Sequence, residues 1–556
     1  MRIPRPSSVA LAASVVAFIA AVAWAPTRAA QTFSTAPASH TGPLFQSATQ
    51  CMACHNGLTT PSGEDVSMGT MWRASMMAHS ARDPYWHAGV RREVTDHPTA
   101  QAAIENECSR CHMPMAHVQN QTLNRQQTVF ANIAAVGGAG AAADPLAVEG
   151  VSCSLCHQIA DQRLGEKSSF TGGFVVDTST PAEQRRLFGP FDVDAGRTSV
   201  MRSVTGFQPT ASPHIQRSEV CATCHTLYTH ALNAAGEPIG GEFPEQVPYQ
   251  EWLHSEFKAT QSCQSCHMPT VAQPTPIASV LGEPREAVSR HDFRGANFFM
   301  LSILNRFRTD LAVVAQPVEL DNAIARTKAY LQTAAATVAI ESVTLDNGRL
   351  DADIVVRNLS GHKLPTAYPS RRVWLRVAVR DQGGRVVFES GAVEPTGAIT
   401  GNDNDMDGTR FEPHYEVVDS PDKVQIYEPI LGTPSGAVTT GLLSATRYLK
   451  DNRVAPRGFD KATAPADVAV EGGARSDADF LGGQDRVHYR VDVGGAAGPF
   501  TIDAEVWYQS IGYRWAENLR GYTAAEPQRF VRYYEAMAPA SAIRLAGTAA
   551  STSGAR

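Results

Sequence analysis

The second half of the chain alternates apolar and polar residues with the two-residue period of β-strands. Two such runs flank Asn347 and Gly348, and two more flank Gly383 and Gly384. Asn-Gly and Gly-Gly pairs favour tight hairpin turns because their backbones accept positive φ angles. A third pair of alternating runs fills residues 487–510. These patterns predict a set of antiparallel strands joined by short hairpins.

The predicted strands indicate an all-β domain, an immunoglobulin-like sandwich, over residues 338–545. Irregular insertions are expected to fill residues 400–480. A short helix is expected near the end, in "AEPQRFVRYYEAM", and residues 546–556 are predicted to be a disordered tail.

Two earlier segments, residues 298–314 and 317–336, space their apolar residues as helices do. The second of these predicts a helical connector over residues 316–337. Short helices and long loops are expected between about residue 40 and about residue 300. Residues 136–145 and 187–197 are typical of loops.

The first thirty residues are typical of a secretory signal peptide. Arg2 and Arg5 precede the apolar run "VALAASVVAFIAAVAW", and small residues follow it. This run is shorter than a typical membrane span, although an uncleaved anchor is the alternative. We expect cleavage near Ala29 or Ala30 and export to the periplasm or the cell exterior.

Composition narrows the functional classes only a little. Apolar residues make up 43% and charged residues 19% of the 556, which is ordinary for a globular protein. The formal net charge of −7 is small for this length and argues against a dedicated nucleic-acid-binding protein.

All ten cysteines fall into five copies of one motif, in which two cysteines three positions apart are followed directly by histidine. The cysteines are Cys51 and Cys54, Cys108 and Cys111, Cys153 and Cys156, Cys221 and Cys224, and Cys263 and Cys266. The histidines that follow are His55, His112, His157, His225 and His267.

This spacing fits covalent haem attachment, in which two thiols bind one porphyrin and the next imidazole binds its iron. A disulfide framework has no need of a histidine at the same place five times. Zinc knuckles pair, and five knuckles cannot pair evenly. The surroundings also lack the strand–helix pattern of thioredoxin-like redox pairs. The sequence therefore predicts five c-type haems with the five motif histidines as proximal iron ligands.

The chain resembles the bacterial multihaem (pentahaem) c-type cytochromes in segments such as "GVSCSLCHQI", "CQSCHMP" and "RHDFRGANFFML". The resemblance continues into "SGHKLPTAYPSRRVWL" and "YLKDNRVAPRGFDKA", so it covers most of the chain after the leader. It implies a pentahaem domain over residues 31–315 followed by the β-sandwich, and electron transfer through closely spaced haems.

Each haem iron needs a second axial ligand or stays open, and twelve further histidines are available. The resemblance implies His291 and His214 as distal ligands, and favours His362 reaching an iron from the β-domain. His117 and His230 each lie five residues after a proximal histidine, so each is expected to serve a neighbouring haem. His79 is a further candidate, with Met76 and Met77 beside it as alternative ligands or packing residues. His414 is a weaker candidate than His362 for the same cross-domain role.

A possible calcium loop lies in "GNDNDMDGT". Asp403, Asp405 and Asp407 alternate ahead of Gly408, as at the start of an EF-hand loop. The twelfth position is His414 instead of glutamate, and no helix pair flanks the loop, so a true EF-hand is excluded. A calcium-stabilised loop, with Glu412 contributing, and a solvated acidic turn remain as alternatives.

The leading hypothesis is an exported electron carrier that passes electrons between five haems and exchanges them with redox partner proteins. The first alternative is a multihaem reductase with one open iron that acts on a small oxyanion. The second is a structural subunit, docked on a membrane electron-transfer complex or self-assembled into a filament.

Overall fold

The computed structural model describes residues 43–133 and 143–552. The predicted signal peptide and its cleavage site, and most of the loop predicted at 136–145, lie outside the described residues. Among those that are described, no helix has both the length and the apolar character needed to span a bilayer.

Short helices dominate the first part of the chain. They are α1 (Ala48–Met52), α2 (Met68–Arg73), α3 (Pro84–Asp96), α4 (Gln101–His112), α5 (Pro114–Thr122), α6 (Pro145–Val148), α7 (Cys153–Cys156), α8 (Ala195–Thr205), α9 (Ser218–Ala222), α10 (Pro248–Leu253), α11 (Cys263–His267), α12 (Phe298–Arg306) and α13 (Pro317–Ala334). Three two-stranded sheets accompany them, formed by β1 (Arg185–Gly189) with β2 (Phe207–Ala211), β3 (Leu227–Leu232) with β4 (Pro238–Gln246), and β5 (Thr275–Pro276) with β6 (Pro284–Arg285).

Strands dominate the second part. They are β7 (Ala336–Asp346), β8 (Arg349–Asn358), β9 (Arg372–Arg380), β10 (Val386–Ser390), β11 (Val417–Val418), β12 (Ile426–Tyr427), β13 (Pro429–Gly432), β14 (Val438–Thr439), β15 (Arg447–Asp451), β16 (Gln484–Asp492), β17 (Thr501–Gln509) and β18 (Ala542–Ser551). Three helices interrupt them, α14 (Asp403–Met406), α15 (Tyr513–Glu517) and α16 (Ala525–Met537).

Two of the sheets form the β-domain. One has the order β11-β16-β8-β7, and the other has the order β10-β9-β17-β18 with β12 also paired to β9. Alternate residues of β8, β9, β16 and β17 are buried in one shared core, as the period-two pattern requires. The predicted fold class is therefore confirmed: a mainly helical and irregular first part is followed by an all-β second part.

The hairpins predicted at Asn347–Gly348 and at Gly383–Gly384 are confirmed, whereas the two strands predicted in 487–510, β16 and β17, lie in different sheets. Asn347 and Gly348 join β7 to β8 with φ angles of 50° and 78°, the left-handed values that a tight turn of this kind needs. The predicted helices at 317–336 and at "AEPQRFVRYYEAM" correspond to α13 and α16.

Three predictions about local structure are wrong in part. Residues 187–197 are not a continuous loop, because β1 extends to Gly189 and α8 begins at Ala195. The helix expected over 298–314 ends at Arg306. The tail predicted to be disordered from residue 546 forms most of β18, because its backbone pairs along β17 from Thr501 to Gln509.

The predicted domain boundaries at 315 and 337 do not divide the hydrophobic core. The buried residues of α12, including Phe299 and Leu304, belong to the same core as the inner faces of both sheets. Helix α16 of the second part packs on α3 of the first, and Arg91 pairs with Glu526 at 2.9 Å across that contact. Side chains from the β-domain can therefore reach the helical part.

Candidate haem sites

Each CxxCH motif lies on a short helix or at a helix end. Cys51, Cys108, Cys153, Cys221 and Cys263 lie in α1, α4, α7, α9 and α11 respectively. In the first and fourth motifs the second cysteine follows the end of the helix. In α4, α7 and α11 both cysteines lie within the helix, where residues three positions apart share one face, so their two thiols point to the same side. This is the arrangement that two bonds to one porphyrin require.

Four of the five motifs line a single cavity of about 670 Å³. Its wall includes both cysteines and the histidine of the motifs at 108–112, 153–157 and 221–225, and Cys51 and His55 of the first. Large apolar side chains, among them Trp72 and Met76, complete the wall. Flat apolar groups held by thioether bonds fit such a space, and its residues therefore suit the haems that the motifs imply.

The proximal histidines are held in one tautomer by the backbone. Nδ1 of His55 donates to the carbonyl of Ile277 at 2.6 Å, and Nδ1 of His112 donates to that of Ser80 at 2.9 Å. His157 donates in the same way to Phe188 at 2.5 Å, and His267 donates to Arg294. A proton fixed on Nδ1 leaves the lone pair of Nε2 for a metal, which is the usual arrangement of metal-binding histidine.

His225 differs from the other four because its ring has no such bond among the described residues. One edge of the His225 imidazole faces the cavity and is accessible. Protein atoms surround the rest of the ring. Burial lowers its pKa to about 4, so the ring is neutral at neutral pH and able to bind a metal.

The motifs contact one another in a branched order. The Cys51 thiol lies close enough to that of Cys153 to interact with it, and the Ser154 hydroxyl donates to the Gln46 carbonyl at 2.7 Å beside them. The first motif therefore adjoins the third.

The fourth motif adjoins two others directly. The Cys221 thiol interacts with Cys263, and the Ser218 hydroxyl accepts from the Cys263 backbone N–H at 3.0 Å. The Cys224 thiol interacts with Cys111. Cys156 of the third motif also lies near Cys224. The fourth motif is thus the junction of the other motifs.

Two candidate distal histidines face proximal ones. The ring centres of His157 and His291 lie 6.4 Å apart with their planes 17° from parallel, and those of His267 and His362 lie 6.3 Å apart at 19°. A metal held end-on by two imidazoles at about 2 Å from each nitrogen separates the ring centres by about 6 Å. Burial lowers the pKa of His291 and of His362 to about 4, so both rings are neutral.

His214 and His117 are engaged at both ring nitrogens. Nδ1 of His214 bonds with the Ser212 hydroxyl at 2.7 Å, and its Nε2 donates to the Ile159 carbonyl at 2.8 Å. His117 bonds with the Ser109 hydroxyl at 2.8 Å and with the Gln121 amide at 2.7 Å. Neither ring presents a free nitrogen in this conformation, which argues against both as distal ligands.

The other two candidates differ from each other. His230 is exposed on β3, beside Glu107. His79 is fully buried, and neither of its ring nitrogens has a hydrogen-bond partner among the described residues. Burial lowers its pKa to about 3. A buried imidazole without partners costs free energy unless something binds it, so His79 stays a candidate.

The structure adds two histidines that sequence reasoning did not rank. Nδ1 of His254 donates to the Gln250 carbonyl at 2.8 Å, the same pattern that the proximal histidines show. His97 is buried, and neither ring nitrogen has a partner among the described residues. Nothing in the local sequence marks either residue, because both signals depend on the folded backbone and on burial.

The three carboxylates of the possible calcium loop do not converge, which argues against the calcium alternative. Asp405 turns inward and pairs with the buried Arg372 at 2.8 Å, Asp403 pairs with Arg410, and Asp407 accepts from the backbone N–H of Thr409 at 2.9 Å. The need to neutralise the buried Arg372 directs Asp405 away from its neighbours.

Calcium is therefore expected to have no effect on stability. The melting temperature should be the same with excess calcium and with a chelator, whereas Asp405→Asn should lower the free energy of unfolding by about 3 kcal/mol in both, since it leaves the Arg372 charge unpaired. Thermal unfolding in the two buffers measures this. A calcium-dependent rise that Asp405→Asn abolishes would contradict it.

His414 belongs to a buried network within the β-domain. Among the described residues, His414, Asp477 and Asp485 are one group whose ligand atoms lie close enough for a metal. However, the amide nitrogens of Gln425 and Asn452 donate to Nδ1 of His414 at 2.9 Å and 3.1 Å, so the ring proton must lie on Nε2. That proton points to Asp477 at 2.8 Å, and the arrangement is a hydrogen-bond network rather than a ligand set.

Comparison with known proteins gave a structural neighbour only. No family model and no curated protein matched the sequence. Among solved structures, the chain is similar to a penta-haem cytochrome c552 from Thermochromatium tepidum, at 16% sequence identity and a TM-score of 0.51. The match covers 92% of this chain and 100% of the other. The fold of this chain is thus similar, over nearly its whole length, to that of a penta-haem cytochrome.

Proposed function

We propose that this protein is an exported electron carrier that holds five c-type haems through its CxxCH motifs. The observation that carries the proposal is the convergence of four motifs on one apolar cavity, with the histidines of three of them, His55, His112 and His157, oriented to offer Nε2 to a metal. The fold similarity to a penta-haem cytochrome supports the same conclusion. Each haem, when bound, supplies a one-electron ferric–ferrous couple.

The chain itself sets the order of the redox centres. The first motif adjoins the third, and the fourth adjoins both the second and the fifth, with the third motif lying near the fourth. The helix of the fifth motif has no buried residue, so that end of the series lies at the surface. Electron exchange with a redox partner protein is therefore expected at the fifth motif.

Axial ligation is proposed for two pairs, His157 with His291 and His267 with His362. His362 belongs to the β-domain, so that domain would complete a haem site across the boundary. His79, His97 and His254 are the best remaining candidates for other irons, ahead of His117, His214 and His230.

The reductase alternative keeps one supporting observation. Among the described residues, His55, His112 and His225 have no second imidazole ring at the 6.3–6.4 Å separation of the two pairs above. An open iron at one of them would suit a small oxyanion. Nothing in the sequence or the contacts favours nucleic acid as a partner, and docking to a membrane complex or self-assembly stays a proposal.

Haem content and spin state test the proposed function. Intact mass and haem quantification of the protein matured in a competent host should give five haems per chain, one for each motif. Electron paramagnetic resonance of the oxidised protein should show every haem low-spin. A high-spin signal would favour the reductase alternative, and far fewer than five haems would refute the assignment of the motifs.

A further inference from the structure

We infer that Glu251 positions His362 for the iron of the haem attached at Cys263 and Cys266, a role that rests on the proposed function. Glu251 lies on α10 of the helical part, and its carboxylate contacts the residue that follows His362 in the β-domain. It does not touch the haem site itself, so its role is to hold the ligand-bearing loop in place.

The carboxylate of Glu251 fixes the loop at two points. One oxygen accepts from the backbone N–H of Lys363 at 3.0 Å and from the hydroxyl of Thr366 at 2.5 Å. The other accepts from the Arg453 guanidinium at 2.9 Å. The first bond acts on the peptide directly after His362, so a movement of Glu251 moves the backbone that carries the imidazole.

The network around Glu251 is buried and balanced in charge. Glu251 is 0% exposed, Lys363 0%, Asp451 1% and Arg453 3%. Lys363 pairs with Asp451 at 2.6 Å, and Arg453 bridges Asp451 and Glu251. The two cations and two anions are shielded from solvent, so they tolerate little displacement. A charge that moved away from its partner would be left unpaired in a low-dielectric interior.

The loop that carries His362 and the segment before the fifth motif both contact Trp252. Gly361 packs on α10 and on the segment that follows it, since an added Cβ would lie 3.4 Å from Trp252 of α10 and 3.4 Å from Phe257 after it. The indole of Trp252 donates in turn to the carbonyl of Gln261, two residues before Cys263. The support that places His362 thus also places the motif that holds His267.

The imidazole is oriented by its own loop. Nδ1 of His362 bonds with the Lys363 carbonyl at 3.1 Å and with the Ser360 hydroxyl at 3.2 Å, and the Asn358 amide donates to the His362 carbonyl at 2.7 Å. These bonds fix the ring relative to the loop. Glu251 then fixes the loop relative to His267, whose ring centre lies 6.3 Å from that of His362.

The test is the spin state of the Glu251→Gln holoprotein. An amide has one acceptor oxygen and places hydrogens toward either Arg453 or the Lys363 N–H, so the loop must shift. We expect the variant to keep five haems and to convert a fraction of one low-spin signal to high-spin, with added imidazole restoring it. His362→Ala should convert the signal of the same haem completely.

Two further variants separate positioning from folding. Asp405→Asn breaks an equally buried ion pair of the β-domain that does not touch this loop, so it should lower the melting temperature and leave the spectrum unchanged. The double variant Glu251→Leu with Arg453→Met removes one charge of each sign. It should fold even if Glu251→Gln does not, and should still show the high-spin fraction.

Each outcome bears on a different statement. If both Glu251 variants lose stability while all haems stay low-spin and His362→Ala becomes high-spin, Glu251 is structural only and the inference is wrong. If every haem of the His362→Ala variant also stays low-spin, His362 is not an iron ligand and the inference about Glu251 is wrong. A chain that acquires no haem would refute the proposed function instead.

Discussion

A variant with Cys221→Ala and Cys224→Ala is expected to lose one haem and, with it, most of the electron transfer between the remaining ones. The fourth motif adjoins the second, third and fifth, so no other motif can replace it as their junction. The fourth motif also lines the shared cavity, so the loss of its haem would leave a large empty space in the core. A void of that size destabilises strongly.

The measurements are intact mass, thermal unfolding and the rate at which a small reductant reduces all haems. We expect a mass loss of one haem, a clear drop in melting temperature and a reduction rate lower by more than an order of magnitude. Cys263→Ala with Cys266→Ala is the matched control, because its helix has no buried residue. It should lose one haem with a smaller loss of stability. Equal effects of the two variants would contradict the junction role.

Asp451→Asn is expected to be the most destabilising single substitution in the β-domain. The carboxylate of Asp451 is 1% exposed and pairs with both Lys363 and Arg453. Removing it leaves two buried cations with one carboxylate, Glu251, between them. Breaking a buried pair in this way costs about 3–5 kcal/mol.

The same substitution should change the pH dependence of stability. Burial alone would raise the pKa of Asp451, but Arg453 and Lys363 outweigh it and lower the pKa to about 2 from 3.8. A depressed folded-state pKa adds stability that is complete above the unfolded value and is lost as the pH falls through the folded one. Asp451 therefore contributes about 2 kcal/mol that disappears between about pH 4 and about pH 2.

Chemical denaturation over that pH range measures the difference between the two proteins, which should shrink as the pH falls. Asp353→Asn is the control, because Asp353 pairs with His488 at the surface, where both side chains are about one-third exposed. An exposed pair contributes no more than about 1 kcal/mol. A constant difference between Asp451→Asn and the unchanged protein at all pH values would show that the ion network does not depend on this charge.

Local patterns predicted the local structure well. The period-two alternation and the Asn347–Gly348 turn predicted β7 and β8, since neighbouring side chains and one turn determine a hairpin. The sequence predicted none of the pairings between distant segments. Each residue of β1 pairs with one of β2 that lies twenty-two positions further along the chain, and β18 pairs with β17 across an insertion that contains two helices.

The calcium alternative for Asp403, Asp405 and Asp407 loses support for the same reason. Alternating aspartates form a common ligand site only if no other group pairs with them. Asp405 pairs instead with the buried Arg372, which lies thirty-three positions earlier in the chain. His254 and His97 were not ranked for a related reason: a bond to a carbonyl or a lack of partners exists only in the folded chain.

The sequence by itself determined the five CxxCH motifs and the haem attachment that they predict, because covalent haem binding needs two thiols and an imidazole at a fixed spacing and the chain carries that spacing five times. Tertiary structure alone decided which motif adjoins which and which histidines face each other. It brought His362 of the β-domain to 6.3 Å from His267 through a buried ion network whose four members come from three separate segments. Such contacts depend on the burial of charge across the whole fold, and no local pattern encodes that.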